Sequence, residues 1–238
     1  MKRSAKIAIP LLLVVVMLIS ALAVFIFTAN AVDAQEATLS EYTVTYEGGV
    51  EKSSALVNSE SGSFATLAAK LASLSPSSPT RYILTLNKDV TVSSAFTVSG
   101  NANAEVWIDL AAHTVTSTVN GAMINATGSG MTLRVFGEFA ADGSYGKFTT
   151  STSSGAMLSV SGGAYADVNY VDATFGGNAQ GTAMFKADGA KLTVEHSNVT
   201  YTAAKLATMI DAKNSTVNVK YVDAQIQNAI LVTASSSK

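Results

Sequence analysis

The fold class that the sequence predicts is all-β: a parallel β-helix, which is a solenoid of about six coils. Three observations indicate it. The segments "AMLSVSGGAYADVNYVDATF", "AMFKADGAKLTVEHSNVTY" and "TMIDAKNSTVNVKYVDAQI" follow one another as three versions of one unit. Within each unit apolar residues alternate with polar ones, as in short β-strands. Gly, Asn, Asp and Ser separate the apolar runs, which is typical of turns.

Two sets of landmarks share the repeat period. Four methionines each open a strand-like run, and they lie 34, 27 and 25 residues apart: Met123, Met157, Met184 and Met209. In the last three units a second set lies 26 and 25 residues apart: Asp172, Asn198 and Asp223. Units of this length are too short for a propeller blade and have no helical period. One coil of a β-helix fits, with two or three strands per turn stacked about 4.8 Å apart.

Earlier segments extend the same pattern upstream. "YILTL", "DVTV", "VWIDL", "HTVT" and "MTLRVF" supply roughly three more coils, so we predict a β-helix over residues 81–238. Its last coil runs through Ile230, Leu231 and Val232 and then into Ser-Ser-Ser-Lys238 with no capping element. An open end of this kind invites pairing with another chain. We therefore predict an uncapped C-terminal rung that self-associates or binds a partner.

The N-terminal 31 residues have the parts of an export signal. Lys2, Arg3 and Lys6 precede an apolar run over residues 7–27, and Ala29-Asn30-Ala31 follows, with cleavage predicted after Ala31. The apolar run also reaches the length of about 20 residues that spans a bilayer, so an uncleaved membrane anchor is the alternative. Both interpretations place the rest of the chain outside the cytoplasm, at the cell surface or beyond it.

Residues 32–80 are predicted to close the N-terminal end of the β-helix. They contain a candidate strand over 42–46 and a helix over 63–75, with Ser61 or Ser63 as its N-cap. The helix has apolar residues at helical spacing: Phe64, Leu67, Leu71 and Leu74. Because a solenoid exposes the apolar interior of its last rung, we expect this helix to act as a cap.

Composition excludes several classes of function. Without Lys2, Arg3 and Lys6 the chain carries 12 basic and 17 acidic side chains, which is the wrong balance for a nucleic-acid-binding surface. The absence of cysteine excludes both a disulfide framework and a thiolate metal site. No cofactor, metal or nucleic-acid partner is expected.

A family resemblance adds to this interpretation. "YILTLNKDVTV" followed by "VWIDLAAHTVT" resembles the opening of pectin-lyase-like right-handed β-helix proteins of bacterial surfaces. The resemblance covers residues 63–234 and implies a right-handed β-helix. This chain departs from the family pattern at Ala111-Ala112, where an Asn-Gly turn pair is usual. The superfamily includes lyases, glycosidases, adhesins and stalks, so the resemblance leaves the function open.

The candidate catalytic groups are few. Asp167 and Glu195 have the outward parity on adjacent rungs, but two acids fall short of the six or more oxygens of a calcium site. Glu195 is expected to pair with Lys220 across neighbouring rungs. His196 aligns with Tyr170 and Tyr221 in the repeats and has the inward parity, which favours a half-buried histidine stacked between tyrosine rings over a general base. His113 is predicted to lie in a turn, with no second histidine or acidic residue at the spacing of metal ligands.

Two columns of side chains remain as candidate sites. Asp172, Asn198 and Asp223 are predicted to form a structural ladder in a turn, bonded from rung to rung, with a metal ladder as the alternative. The four methionines share the parity of polar residues, which predicts an outward apolar stripe that binds a partner. Alternatively a loop or the N-terminal segment covers them, or they belong to the core.

We therefore predict an exported, non-catalytic surface module, adhesin-like, that binds a glycan or a surface protein. The alternative from another class is a polysaccharide-active lyase or glycosidase of the same superfamily, which a groove of clustered acids would support. A third interpretation is a structural stalk or a fragment of a longer surface protein.

Overall fold

The computed structural model describes the chain in seven stretches: residues 35–137, 145–150, 152, 154–175, 182–201, 207–226 and 229–238. The predicted export signal or anchor of residues 1–31 lies outside them. Among the described residues, no helix has both the length and the apolar character needed to cross a membrane.

The described residues form an all-β, right-handed parallel solenoid of about five turns rather than the predicted six. Each turn of the solenoid passes through three sheets in succession. Every sheet has six parallel strands, which makes five steps from one rung to the next.

The first sheet contains β3 (Thr80–Leu86), β6 (Ala104–Asp109), β9 (Thr132–Phe136), β12 (Tyr165–Asn169), β15 (Lys191–Glu195) and β18 (Thr216–Lys220). The second contains β4 (Val90–Val92), β7 (Thr114–Ser117), β10 (Gly146–Thr150), β13 (Val171–Phe175), β16 (Asn198–Tyr201) and β19 (Asp223–Ile226). The third contains β5 (Phe96–Ser99), β8 (Gly121–Thr127), β11 (Gly155–Ser161), β14 (Ala183–Asp188), β17 (Ala207–Lys213) and β20 (Ala229–Ser235).

An antiparallel hairpin extends the first sheet at its N-terminal end. β1 (Ala37–Glu47) contains the predicted strand over 42–46 and pairs with both β3 and β2 (Val50–Gly62). The sequence pattern did not predict β2, because its residues are almost all exposed and show no alternation of apolar and polar side chains.

The single helix among the described residues is shorter than predicted. α1 (Phe64–Ala69) begins at the N-cap Ser63, whose Oγ accepts a hydrogen bond from the Thr66 amide. The prediction over 63–75 is wrong in its second half, where the chain turns and Leu74 pairs with Gly100. Phe64 is buried and its ring meets that of Phe96 edge-on at 5.5 Å. The capping role of α1 stays a prediction.

Alternation places one row of side chains from each strand in the core. In the first sheet Val168 and Val194 are paired on neighbouring rungs and fully buried, while Asp167 and Glu195 point outward from the same strands. Stacking of equivalent apolar residues from rung to rung is what stabilises the solenoid, because each rung covers the apolar face of its neighbour.

The four methionines correct the prediction of an outward stripe. Met123, Met157, Met184 and Met209 are no more than 3% exposed and belong to the hydrophobic core. The residue after each methionine is also buried, so strict alternation fails at this position. Pairing between β8 and β11 runs through Ala122 and Ala156 and resumes at Ile124 and Leu158, skipping the methionines. Such a local irregularity lets two consecutive side chains point to one side.

The last rung differs from the interior rungs in burial. Val219 and Val232 are 38% and 40% exposed, whereas their rung neighbours Val194 and Ile210 are fully buried. Lys238 hydrogen-bonds through its backbone to Val217 and Ser215, at 2.8 and 2.9 Å. Self-association through this rung stays a prediction.

Candidate functional site

The outer face of the first sheet gathers aromatic and charged side chains on three neighbouring strands. Side chains two residues apart on a strand point to the same face. The pairing of β6, β9 and β12 therefore aligns Trp107 with Arg134 and Asp167 in one row. Phe136 and Asn169 are aligned in the next row. The intervening residues of these strands are buried in the core, which fixes the orientation of the outward ones.

The indole of Trp107 is held in place by its neighbours. Its Nε1 donates a hydrogen bond to Glu105 Oε1 at 2.8 Å. The guanidinium of Arg81 lies over the ring at 4.1 Å from its centroid, and that of Arg134 lies 5.4 Å away. The ring of Phe136 meets the indole edge-on at 5.8 Å. Cation–π and edge-on contacts of this kind hold an aromatic ring rigid at the surface.

An ion-pair network joins this face to the N-terminal hairpin. Arg81 bonds to Glu51 of β2 at 2.7 Å and to Glu105 of β6 at 2.8 Å, and Arg134 lies 3.8 Å from Glu105. Burial by itself lowers the pKa of Arg81, but hydrogen bonds to both glutamates outweigh it and raise the pKa overall. The hydrogen bond from Arg81 lowers the pKa of Glu51. Arg81 therefore remains charged and links the hairpin to the solenoid.

Two buried oxygen atoms on this face have no hydrogen-bond partner among the described residues: Asp167 Oδ1 and Asn169 Oδ1. Burial raises the pKa of Asp167; Arg134 opposes this shift, and Glu195 adds to it. An unsatisfied buried acceptor costs about 1–3 kcal/mol.

These side chains surround an open cavity of about 200 Å³, which we call the aromatic cavity. Its wall is formed by Trp107, Arg134, Phe136, Asp167, Asn169 and Tyr170. Apolar rings beside a few converging polar atoms are the usual composition of a small-molecule site.

A stack of rings borders the aromatic cavity at the corner between the first and second sheets. His196 lies between Tyr170 and Tyr221, at 5.1 and 4.8 Å, as predicted, and Tyr145 follows Tyr170 at 5.5 Å. The stack lies at the surface rather than inward, because Tyr221 is 78% exposed. Tyr170, His196 and Tyr221 all have positive φ, which turns the chain at this corner.

Asp172, Asn198 and Asp223 are in register on the outer face of the second sheet. Asn198 Nδ2 donates a hydrogen bond to Asp172 Oδ1 at 2.6 Å, which is the predicted kind of bond from rung to rung. The predicted location in a turn is wrong, because all three belong to strands β13, β16 and β19. They border a polar groove of about 360 Å³.

The remaining candidates are accounted for by simple pairs. Glu195 and Lys220 form the predicted ion pair at 3.1 Å. His113 Nδ1 lies 3.6 Å from Asp89 Oδ1, a neighbour that sequence analysis did not assign. Within the described stretches, no three or more His, Cys, Asp or Glu side chains are grouped so that they could hold a metal ion.

Comparisons of the chain with protein-family models, curated proteins and solved structures found no match. A role for this face must therefore be derived from its own geometry. The site residues predicted from the sequence did not include Trp107, Arg134, Arg81 or Glu105. The signal that could have found them is the outward parity of "VWID" and "LRVF", which puts an aromatic and a cation on adjacent strands.

Proposed function

We propose that this chain is an exported, non-catalytic surface module of the pectin-lyase-like type that binds a glycan through the aromatic cavity. The observation that carries the proposal is the pair of unpartnered oxygens, Asp167 Oδ1 and Asn169 Oδ1, beside the indole of Trp107. A sugar ring has an apolar face of C–H groups and a rim of hydroxyl donors. It matches an aromatic wall and two adjacent acceptors at the same time.

The energetics favour a ligand with hydroxyl donors. Both oxygens are closed off from solvent in the free protein, and each carries a desolvation cost of about 1–3 kcal/mol, which a ligand hydroxyl removes once the side chain has rotated toward the aromatic cavity. Trp107 is already held by Glu105 and Arg81, so little side-chain entropy is lost when a ligand packs against it. Preformed sites of this kind bind without a large ordering cost.

The proposal includes export of the chain and a covering for each end of the solenoid. Residues 1–31 direct export or, if uncleaved, anchor the chain in the membrane with its basic end in the cytoplasm. α1 and the β1–β2 hairpin cover the N-terminal rung, and the C-terminal rung pairs with a second copy or another surface protein.

A polysaccharide-active enzyme is the second candidate, favoured by the raised pKa of Asp167 beside an open cavity. The nearest candidate partner, Glu195, is paired with Lys220, and among the described residues no second carboxylate lines the aromatic cavity. We therefore expect no lyase or hydrolase turnover by the full chain. The activities of the Asp167→Ala and Glu195→Ala variants should equal the same background rate. Turnover lost on either substitution would reverse this conclusion.

The test of glycan binding is an array of immobilised glycans probed with the full chain. We expect binding to a subset of glycans, lost in Trp107→Ala and at least tenfold weaker in Asp167→Asn. Thr174→Ala, an outward substitution on the second sheet, is the matched control and should bind as the parent does. An array on which the parent binds nothing, or on which Trp107→Ala binds equally well, would contradict the proposal.

A further inference from the structure

A second cavity lies beside the aromatic cavity on the same face, and we call it the distal cavity. Its volume is about 420 Å³, and Arg134 lines both cavities. The starts of strands β6, β9 and β12 supply Glu105, Thr132 and Tyr165, while Tyr46 of the hairpin forms another wall. The aromatic cavity is lined by later positions of the same three strands.

We infer that the ligand is a neutral oligosaccharide of at least two sugar units that lies along β6, β9 and β12, with one unit in each cavity. This inference rests on the glycan-binding function proposed above, and it names the length, the charge and the direction of the ligand.

The length follows from the register of the strands. Glu105, Thr132 and Tyr165 form one row across the three strands. Trp107, Arg134 and Asp167 form the next row, and Phe136 and Asn169 lie in the row after it. From Tyr165 to Asn169 is four steps along β12, or roughly 13 Å at about 3.3 Å per residue. A single pyranose ring is too short to contact both ends of this groove.

The charge follows from the partners of the two arginines. Arg81 is bonded to both Glu51 and Glu105, and Arg134 lies near Glu105. Asp167 adds a third carboxyl group. Three carboxyl groups against two guanidinium groups leave no excess positive charge to attract an anionic sugar, which would instead meet Glu105 and Asp167. A neutral sugar avoids this repulsion and still supplies hydroxyl donors.

The distal cavity offers polar groups suited to a second sugar. Tyr46 is about half exposed, and its hydroxyl donates to Glu105 Oε2 at 3.4 Å. Burial and the neighbouring Glu105 raise the pKa of Tyr46, so its phenol stays protonated. The Tyr165 hydroxyl lies 3.3 Å from Thr193 Oγ1. The two tyrosines give the distal cavity ring surface as well as hydrogen-bonding groups.

The experiment is calorimetric titration of the full chain with mono-, di- and trisaccharides of the cello, chito and manno series, and with oligogalacturonates as the anionic probe. For the neutral series that binds, we expect at least tenfold tighter binding of the di- or trisaccharide than of the monosaccharide. Tyr165→Ala should lower the affinity for the longer ligands toward that for the monosaccharide. Its unchanged monosaccharide affinity would show that the variant is folded. Trp107→Ala should weaken binding of every length, and Thr174→Ala is the control.

The outcomes separate the two proposals. Equal affinity for one, two and three units, or tighter binding of oligogalacturonates than of any neutral series, would overturn this inference and leave glycan binding intact. A Tyr165→Ala variant with unchanged affinity for the longer ligands would also overturn it. If no saccharide of any length or charge binds, the proposed function fails and this inference fails with it.

Discussion

The outer faces of the first and second sheets are formed by strands of the same rungs, yet they differ in what their side chains leave unsatisfied. On the second sheet a column of threonines runs in register from rung to rung: Thr91, Thr116, Thr149, Thr174 and Thr200. Beside it Asn198 bonds to Asp172. On the first sheet Trp107, Arg134 and Phe136 line the aromatic cavity together with Asp167 and Asn169, which keep buried acceptors without partners among the described residues.

This difference shows that the solenoid backbone by itself does not define a site. Both faces have the same strand spacing and the same alternation. A column of short polar side chains bonds within itself or to water and demands no ligand. Large rings shield their neighbours from water, so oxygens placed among them lose solvent without gaining partners. The first sheet is therefore the face that a ligand would complete.

The largest expected effect concerns the core that both faces share. Met184→Ala should lower the free energy of unfolding by about 2–5 kcal/mol, because the side chain is buried. Met184→Lys should prevent folding, because it buries an unpaired charge. Urea unfolding followed by circular dichroism measures both. Lys186→Ala, two residues later on the same strand, is the control and should change stability by less than about 0.5 kcal/mol. A Met184→Lys protein that folds stably would mean that Met184 points outward, as the sequence pattern predicted.

The next effect tests the ion-pair network of the first sheet. Arg81→Ala should cost roughly 3 kcal/mol, because it leaves the partly buried Glu105 without its closest cation. The measurement is chemical denaturation at low and moderate salt. The control is Lys52→Ala, which removes an exposed cation of the β1–β2 hairpin. Lys52 pairs with Glu47, and its loss should cost at most about 1 kcal/mol. Equal costs for the two variants would mean that the network contributes no more than a surface pair.

A smaller effect is expected on the second sheet. Asn198→Ala removes the hydrogen bond to Asp172 and should lower the free energy of unfolding by about 1 kcal/mol or less, because the bond is exposed to solvent. Glycan binding should be unchanged. Thermal unfolding and the glycan array measure the two properties. Weaker glycan binding by this variant would contradict the contrast between the two faces.

The smallest effect is a pH dependence from Asp167. Burial raises the pKa of this carboxyl above its ordinary value of 3.8, so the folded protein binds the proton more readily than the unfolded chain. Its stabilising contribution is therefore full below the ordinary value and is lost as the pH rises through the raised one. Asp167→Asn should have a higher Tm than the parent at pH 7, and the difference should shrink as the pH falls toward 3.8.

The control for this pH series is Asp211→Asn, which removes an exposed carboxylate from the third sheet and reports the effect of net charge alone. A Tm difference for Asp167→Asn that stays the same from pH 7 to pH 4 would contradict the pKa shift.

The sequence pattern predicted the repeating unit, most strands of the solenoid and the alignment of its rungs, because these depend on local alternation and on equivalent positions in successive units. Asp172, Asn198 and Asp223 pair as aligned, and His196 stacks between Tyr170 and Tyr221. Alternation failed at the methionines, because parity arguments assume a regular ladder and the strands are irregular there. It also failed at β2, because the residues of this strand are almost all exposed and neither side of it faces the core.

By itself, then, the sequence determined that this chain is a parallel solenoid and, apart from the methionines, which strand positions of each unit face the core, since burial of one face imposes a period of two. Only the tertiary structure decided where the candidate site lies. Glu51 reaches Arg81 from a separate hairpin, and Trp107, Arg134 and Asp167 come from three successive rungs. Whether an outward oxygen finds a partner depends on the neighbouring rungs and on the hairpin. That is a property of three-dimensional packing, which the spacing along one strand does not contain.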